Sequence, residues 1–276
     1  MNMLVSTQWL ADHLDDVVLL DASHHLADTG RDAAAEYAAG HIPGARFVGF
    51  HTIADPDSGL DNTVPKADAF AARMGELGVG DDSTVVIYDD SALHSSARLW
   101  FLFRLFGKEA SVLDGGLAKW KAEGRSETRD VPSPTPATFT AKADESLLRD
   151  KAAMLANVDT RAEQVVDARG AARFTGEAEE IRAGQPGGHI PGARNIPIGM
   201  LFQEDGTMKD AAAIEGEFLG AGLDLSRPIV TTCGSGVTAA VLSLGLARLG
   251  KDSALYDGSW SEWAADPATP KATGAA

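Results

Sequence analysis

The single cysteine of the chain lies in a short segment whose residue types suit nucleophilic chemistry. Cys233 is the only cysteine among 276 residues, and the segment around it, residues 229–236, reads IVTTCGSG. The β-branched residues before Cys233 predict a strand, and the Ala- and Leu-rich residues after the loop predict a helix. Gly234 and Gly236 are expected to adopt backbone angles that other residues resist, so that the loop amides converge on an anion. These amides and the helix start favour a thiolate, and we expect Cys233 to act as a nucleophile.

The Cys233 segment belongs to the second of two similar halves. The heptapeptide GHIPGAR occurs at residues 40–46 and again at 188–194. In both halves an apolar strand, a helix followed by glycine, and a D-G-G or D-G-S turn come next, and Gly250 and Asp257 each lie 143 residues after Gly107 and Asp114. Alternating strands and helices predict the α/β fold class, with two tandem domains that each have a mostly parallel sheet flanked by helices.

Apolar patterning predicts particular elements within each half. The expected strands are residues 17–20, 84–88, 111–113, 164–166, 228–232 and 254–256. The expected helices include residues 8–14, 32–39, 95–106 and 237–249. The proline-rich residues 131–136 predict a stiff linker. We therefore expect an N-terminal domain over 1–130, a linker over 131–145 and a C-terminal domain over 146–276.

The composition restricts the partners and the chemistry. The 24 Lys and Arg residues against 40 Asp and Glu give a formal net charge of −16, which argues against nucleic acid or an anionic membrane surface as partner. No apolar run reaches the length of a transmembrane span, and the N-terminus lacks the features of a signal peptide. One cysteine cannot form an internal disulfide, and no Cys/His cluster suits zinc. A cytoplasmic protein with a reduced thiol and no metal is expected.

These motifs resemble those of the tandem rhodanese family of sulfurtransferases, from about Leu4 to Trp263. The resemblance rests on the two GHIPGAR copies, the two D-G turns and a cysteine loop present only in the second half. It implies that Cys233, in the C-terminal domain, forms a persulfide, while the N-terminal domain is catalytically silent. Counting 143 residues back from Cys233 leads to Asp90, an aspartate that cannot carry a sulfane sulfur.

The Cys233 loop resembles the mercaptopyruvate branch of this family. Residues 233–239 read CGSGVTA and lack the arginine and lysine that follow the cysteine in the thiosulfate branch. The resemblance implies two substrate arginines, Arg173 and Arg182, whose planar guanidinium groups match a carboxylate beside a ketone. Ser235 is expected to pass a proton or to hydrogen-bond the substrate. The remaining loop residues expected to bind substrate are Gly234, Gly236, Val237 and Thr238.

Two positions depart from that branch. In other members an aspartate and a histidine of the N-terminal domain are proposed to act with the loop serine, but here the corresponding positions hold His51 and Asn62. The resemblance therefore does not imply an Asp-His-Ser relay in this chain, and a thiolate already stabilised by amides does not require one.

Several other polar residues are interpreted as structural. His41 and His189 occupy the same place in the two GHIPGAR copies, and one copy lies in the half without a cysteine, so both are expected to hydrogen-bond a turn. Arg169 and Asp167 are interpreted as bracing a loop at the end of a strand.

The implied reaction moves sulfur from a small-molecule donor, 3-mercaptopyruvate, to a thiol acceptor such as thioredoxin or to cyanide. It passes through the Cys233 persulfide, releases pyruvate and needs no organic cofactor. The nearest alternative is thiosulfate, a chemically similar donor. Phosphatase chemistry is disfavoured, because a phosphatase of this fold needs an arginine where Ala239 stands. A non-enzymatic sulfur-relay or binding module is a third alternative, and the intact Cys233 loop and arginines argue against it.

Overall fold

The chain forms two compact units in a computed structural model that describes residues 2–180 and 184–275. The first unit comprises Met1–Asp57, Val64–Asp144 and Gln203–Met208, and the second comprises Ser58–Thr63, Glu145–Phe202 and Lys209–Ala276. Each unit contains a five-stranded parallel sheet with helices around it, which confirms the predicted fold class. None of the helices in the described part of the chain combines the length and apolar character needed to cross a bilayer.

Short β-strands and α-helices alternate along the first unit. They are β1 (Leu4–Val5), α1 (Thr7–Asp12), β2 (Val18–Asp21), α2 (Ala33–Ala39), β3 (Arg46–Phe47), α3 (Ala67–Glu76), β4 (Val85–Tyr88), α4 (Ser96–Leu105), β5 (Ser111–Leu113) and α5 (Gly116–Ala122). The sheet order is β1-β5-β4-β2-β3. All four residues of the central strand β4 are buried, as expected for a parallel strand covered on both faces.

The second unit repeats this arrangement. Its elements are β6 (Leu148–Arg149), α6 (Lys151–Thr160), β7 (Gln164–Asp167), α7 (Ala171–Thr175), β8 (Arg194–Asn195), α8 (Ala211–Gly220), β9 (Ile229–Thr232), α9 (Ala239–Arg248), β10 (Ala254–Tyr256) and α10 (Ser259–Ala265). The sheet order is β6-β10-β9-β7-β8, and β9 is central and fully buried. Trp260 and Trp263 of α10 pack with Val230 and Tyr256 in the hydrophobic core of the second unit.

Short acidic side chains start several of these helices. The Asp32 carboxylate accepts the N–H groups of Ala34 and Ala35 at the start of α2. Asp150 and Asp210 do the same for Ala153 and Ala213 at the starts of α6 and α8. Each carboxylate satisfies amides that have no partner within the helix, and its charge interacts favourably with the positive end of the helix dipole.

The repeated histidines hold equivalent turns. His41 Nδ1 lies 2.8 Å from the Tyr37 carbonyl oxygen, and His189 Nδ1 lies 2.9 Å from that of Phe174. Each imidazole also stacks on the ring of the residue whose carbonyl it contacts, Tyr37 or Phe174, with ring centroids 3.9 Å apart. Because the two halves share the Nδ1 contact and the ring stacking and only one half has a cysteine, the predicted hydrogen bond of each histidine to its turn is confirmed.

The predicted strands and helices are found within one or two residues of their expected bounds. The sequence did not predict the edge strands β1, β3, β6 and β8, because two residues carry no periodicity. The D-G-G and D-G-S turns directly follow β5 and β10, as predicted, but the sequence did not predict the helices α5 and α10 that begin at these turns. The proline-rich residues 131–136 continue into a segment that packs on the first unit, where Phe139 is buried and the Ala137 N–H donates to the Gly75 carbonyl.

Candidate functional site

The Cys233 loop connects the central strand of the second sheet to a buried helix. β9 ends at Thr232 and α9 begins at Ala239, so Cys233 stands at the carboxyl end of the strand, as predicted. Its side chain is 1% exposed, and the Gly236 N–H donates to the Cys233 sulfur over 3.1 Å. The amide groups at the start of α9 follow directly, where a helix has N–H groups without partners of its own. The Cys233 sulfur therefore lies beside a backbone donor, in the loop where the sequence predicts an anion-binding site.

Only one of the two loop glycines needs an unusual backbone conformation. Gly236 has φ of +81°, in the left-handed region that favours glycine. The same expectation for Gly234 is wrong, because its φ lies outside that region and open space surrounds the position of an added Cβ. Gly236 therefore turns the chain back toward the sulfur, whereas the conformation of Gly234 requires no left-handed turn.

The start of α10 holds the loop, which the sequence did not predict. The Cys233 carbonyl accepts the Trp260 N–H over 2.9 Å, and the Gly234 carbonyl accepts the Ser261 N–H over 3.0 Å. The Cys233 N–H donates to Ser259 Oγ over 3.3 Å. One difference between the halves was visible in the sequence: residues 257–263 read DGSWSEW where residues 114–120 read DGGLAKW. Both extra serines, Ser259 and Ser261, contact the cysteine loop.

Ser235 lies next to a side chain that is far away in sequence. Asn62 Nδ2 donates to Ser235 Oγ over a long 3.4 Å contact, and both residues belong to the second unit. Asn62 has φ of +61°, a conformation that asparagine tolerates better than most residues. His51 is exposed and belongs to the first unit. The described contacts thus bring Asn62, and not His51, to Ser235.

Arg169 is the centre of a buried ion cluster. Its guanidinium donates to both Asp167 carboxylate oxygens, to Glu180 over 2.5 Å and to the Gly188 carbonyl over 2.6 Å. It also lies over the Trp260 ring, 4.6 Å from the centroid. Burial alone would lower the pKa of Arg169, but the Asp167 and Glu180 carboxylates outweigh this and raise it. The guanidinium stays charged and braces the loop, as predicted.

Arg173 is the described member of the predicted arginine pair. It lies on α7 with its side chain 30% exposed, and its Nη1 is 3.5 Å from Glu180, which also binds Arg169. A continuous set of contacts therefore joins Arg173, through Glu180, Arg169 and Trp260, to the Cys233 loop. Arg182, the second predicted substrate arginine, lies outside the described residues.

The counterpart of Cys233 in the first half is Asp89, not Asp90. β2 and β4 pair Asp21 with Tyr88, and β7 and β9 pair Asp167 with Thr232, so the next residues, Asp89 and Cys233, correspond. The Asp89 carbonyl also accepts the Leu117 N–H, as that of Cys233 accepts the N–H of Trp260. The count of 143 residues led to Asp90 because the two loops between strand and helix differ in length. The loop of the first half comprises residues 89–95, and that of the second half, residues 233–238, is one residue shorter.

Asp89 fills the loop of the first half with its own carboxylate. Its side chain is buried and accepts the N–H groups of Ser91 over 3.0 Å and Ser96 over 2.7 Å. Asp90, by contrast, pairs with Arg31 over 3.1 Å. In the first half a carboxyl side chain therefore occupies the loop amides at the position where the second half has Cys233. Among the described residues no group of three His, Cys, Asp or Glu side chains is arranged to hold a metal ion.

Known proteins resemble this chain along most of its length. The rhodanese-like domain family matches residues 6–123 and 150–266. Human 3-mercaptopyruvate sulfurtransferase is 42% identical over 270 residues, which cover 94% of this chain and 91% of the relative. The 3-mercaptopyruvate sulfurtransferase of Escherichia coli strain K12 is 40% identical, with 95% and 94% covered. The crystal structure of SseA, a 3-mercaptopyruvate sulfotransferase from Escherichia coli, has a TM-score of 0.85 and 37% identity, with 94% of this chain and 99% of that chain covered.

The family match in both halves agrees with the two parallel sheets, and the cysteine loop at the end of β9 agrees with the relatives' activity. The chain therefore belongs to the rhodanese family of sulfurtransferases and carries two rhodanese-like domains in tandem.

Proposed function

We propose that this enzyme transfers sulfur from 3-mercaptopyruvate to a thiol acceptor through a persulfide on Cys233, with release of pyruvate. The observation that carries the proposal is the Cys233 loop, in which the Gly236 N–H is bonded to the sulfur over 3.1 Å and the two residues after the cysteine are uncharged. An anionic sulfur is stabilised by backbone dipoles there, while the cations that a small dianion such as thiosulfate needs are missing from the loop.

In the first half-reaction the Cys233 thiolate attacks the sulfur of the donor. An S–S bond forms, the donor C–S bond breaks, and its electron pair leaves on the enolate of pyruvate. The proton of the donor thiol ends on carbon, so pyruvate departs and an anionic persulfide remains on Cys233. The loop amides stabilise that anion in the way an oxyanion hole stabilises oxygen.

The donor is held by side chains around the loop. Arg173 and Arg182 bind its carboxylate and carbonyl by charge-assisted hydrogen bonds, with backbone contacts from Gly234, Gly236, Val237 and Thr238. The Ser235 oxygen accepts from Asn62, which leaves the Ser235 O–H to act as a donor toward the substrate. A neutral amide does not take up a proton, so Asn62 orients Ser235 and completes no proton relay.

The second half-reaction needs a nucleophilic acceptor. A thiolate, such as that of thioredoxin, attacks the outer sulfur, and the Cys233 thiolate leaves, which gives ping-pong kinetics. Cys233 must return to the thiolate in each cycle, and the reducing cytoplasm suits that requirement. The N-terminal domain takes no sulfur, since Asp89 occupies its loop.

The proposal is tested by following the sulfur atom. Mass spectrometry of the enzyme after treatment with 3-mercaptopyruvate should find one added sulfur atom on the peptide that contains Cys233. Cys233→Ser should release no pyruvate while circular dichroism shows an unchanged fold. Turnover by the parent enzyme without a persulfide would refute the mechanism.

Donor choice is tested by kinetics with both donors. We expect kcat/KM to favour 3-mercaptopyruvate over thiosulfate by a wide margin. Because nothing lies within 4 Å of an added Cβ at Gly234, the double substitution Gly234→Arg and Ser235→Lys can add cations at the loop and should raise relative thiosulfate use. Equal or reversed preference in the parent enzyme would leave a sulfurtransferase with thiosulfate as its donor.

A further inference from the structure

One carbonyl in the Cys233 loop receives two hydrogen bonds from a single residue of α10. The Ser261 N–H donates to the Gly234 oxygen over 3.0 Å, and the Ser261 hydroxyl donates to the same oxygen. Ser261 is buried. The neighbouring carbonyl, that of Cys233, is bound by the Trp260 N–H over 2.9 Å. The first turn of α10 thus donates hydrogen bonds to two consecutive carbonyl groups, those of Cys233 and Gly234.

These contacts determine where the loop amides point. Both peptide bonds are trans, so each N–H points opposite to the carbonyl of the same peptide group. With the Cys233 and Gly234 carbonyls directed at α10, the N–H groups of Gly234 and Ser235 are directed away from it. Gly234 has no side chain and open space around it, so its own packing does not fix this orientation. The hydrogen bonds from Ser261 to the Gly234 carbonyl therefore fix the orientation of this peptide group.

The first half provides an internal comparison. α5 begins as α10 does, and the Leu117 N–H donates to the Asp89 carbonyl over 3.0 Å as the N–H of Trp260 does to that of Cys233. The residue that corresponds to Ser261 is Ala118, which has no hydroxyl. The hydroxyl is thus present in the half that carries the nucleophile and missing from the half that binds its own carboxylate.

Ser261 also contacts the segment that follows the substrate arginines. Its carbonyl accepts the Gln185 side-chain amide over 3.2 Å, and the preceding Trp260 indole donates to the Pro186 carbonyl over 2.9 Å. One helical turn therefore binds the cysteine loop on one side and residues 185–186 on the other.

We propose that Ser261 is a positioning residue for sulfur transfer, whose hydroxyl keeps the Gly234 carbonyl against α10 and thereby holds the loop in the conformation in which the Gly236 N–H donates to the Cys233 sulfur. The inference rests on the proposed persulfide function. It assigns to Ser261 an effect on the reactivity of Cys233 without contact with the sulfur or the substrate.

The test is Ser261→Ala, which removes the hydroxyl and keeps the backbone N–H bond. Loss of one hydrogen bond should slow persulfide formation from 3-mercaptopyruvate in single turnover by about 3- to 10-fold. Alkylation of Cys233 by iodoacetamide at neutral pH should slow by a similar factor, and its pH profile should move to higher pH. A role in stability alone would leave the pH profile of alkylation in place.

A matched control is Ser253→Ala, which removes another buried hydroxyl of the second unit, one bonded to Ser243 over 3.1 Å and outside the loop contacts. It should lose comparable unfolding free energy but react at the parental rate. If Ser261→Ala does not fold, Ser261→Thr, which retains a hydroxyl, should keep the parental pH profile. A parent enzyme that forms no persulfide would refute the proposed function. A parent that forms it, beside a Ser261→Ala variant with unchanged rates and pH profile, would overturn this inference alone.

Discussion

Replacing Gly236 by alanine tests the backbone geometry on which the Cys233 loop depends. Gly236 has φ of +81°, where an added Cβ costs roughly 1–2 kcal/mol, so we expect the second unit to lose about that much free energy of unfolding. Relief of the strain rotates the peptide and moves its N–H away from the sulfur, now 3.1 Å away. A hydrogen bond to a charged group contributes about 1.5–3 kcal/mol, so alkylation of Cys233 should slow by at least about tenfold.

The control for this substitution is Gly234→Ala, two residues away. Gly234 lies outside the left-handed region, and nothing is within 4 Å of an added Cβ, so the unfolding free energy should change by no more than about 0.5 kcal/mol. Urea unfolding followed by tryptophan fluorescence measures the stability, and iodoacetamide kinetics measure the sulfur. Equal losses of stability in the two variants, or parental alkylation in Gly236→Ala, would refute the assignment of the turn to Gly236.

Three other predictions concern charged side chains. Arg173→Ala should lower kcat/KM for 3-mercaptopyruvate by roughly 10- to 150-fold, with little rescue by lysine, because a point charge replaces a planar fork; unchanged kinetics would remove Arg173 from the substrate site. Arg169→Met should cost the second unit about 3–5 kcal/mol in urea unfolding, because the buried Asp167 and Glu180 carboxylates lose their counter-ion; a loss below about 1 kcal/mol would contradict the bracing role. Burial raises the pKa of Asp21 in the folded protein despite hydrogen bonds from Ser23 and Tyr88. The protonated Asp21 carboxyl therefore stabilises the fold fully below the unfolded pKa of about 4, and this contribution is lost as the pH rises through the higher folded pKa. Asp21→Asn should reduce the decline of the unfolding free energy with pH, measured by urea unfolding from pH 4 upward. An identical pH dependence in the two proteins would contradict a raised pKa of Asp21.

The sequence by itself determined the duplicated α/β architecture and the position of the nucleophile. Apolar runs such as Val85–Tyr88 and Ile229–Thr232 are local patterns, and a buried parallel strand follows from such a run with a helix after it. The structural role of His41 and His189 followed from repetition alone. These features were predictable because each depends on residues that are close together in the chain or are repeated in it.

Tertiary structure alone decided the contacts around the sulfur. Strand register, and not residue counting, identified Asp89 as the counterpart of Cys233. Asn62 reaches Ser235 across 173 residues, and Ser261 reaches Gly234 from α10, a helix that the sequence did not predict. Hydrogen bonds between residues so far apart impose no period on the sequence, because either partner also suits a solvated loop. They become identifiable only when packing of the sheet and helices has brought the two segments together.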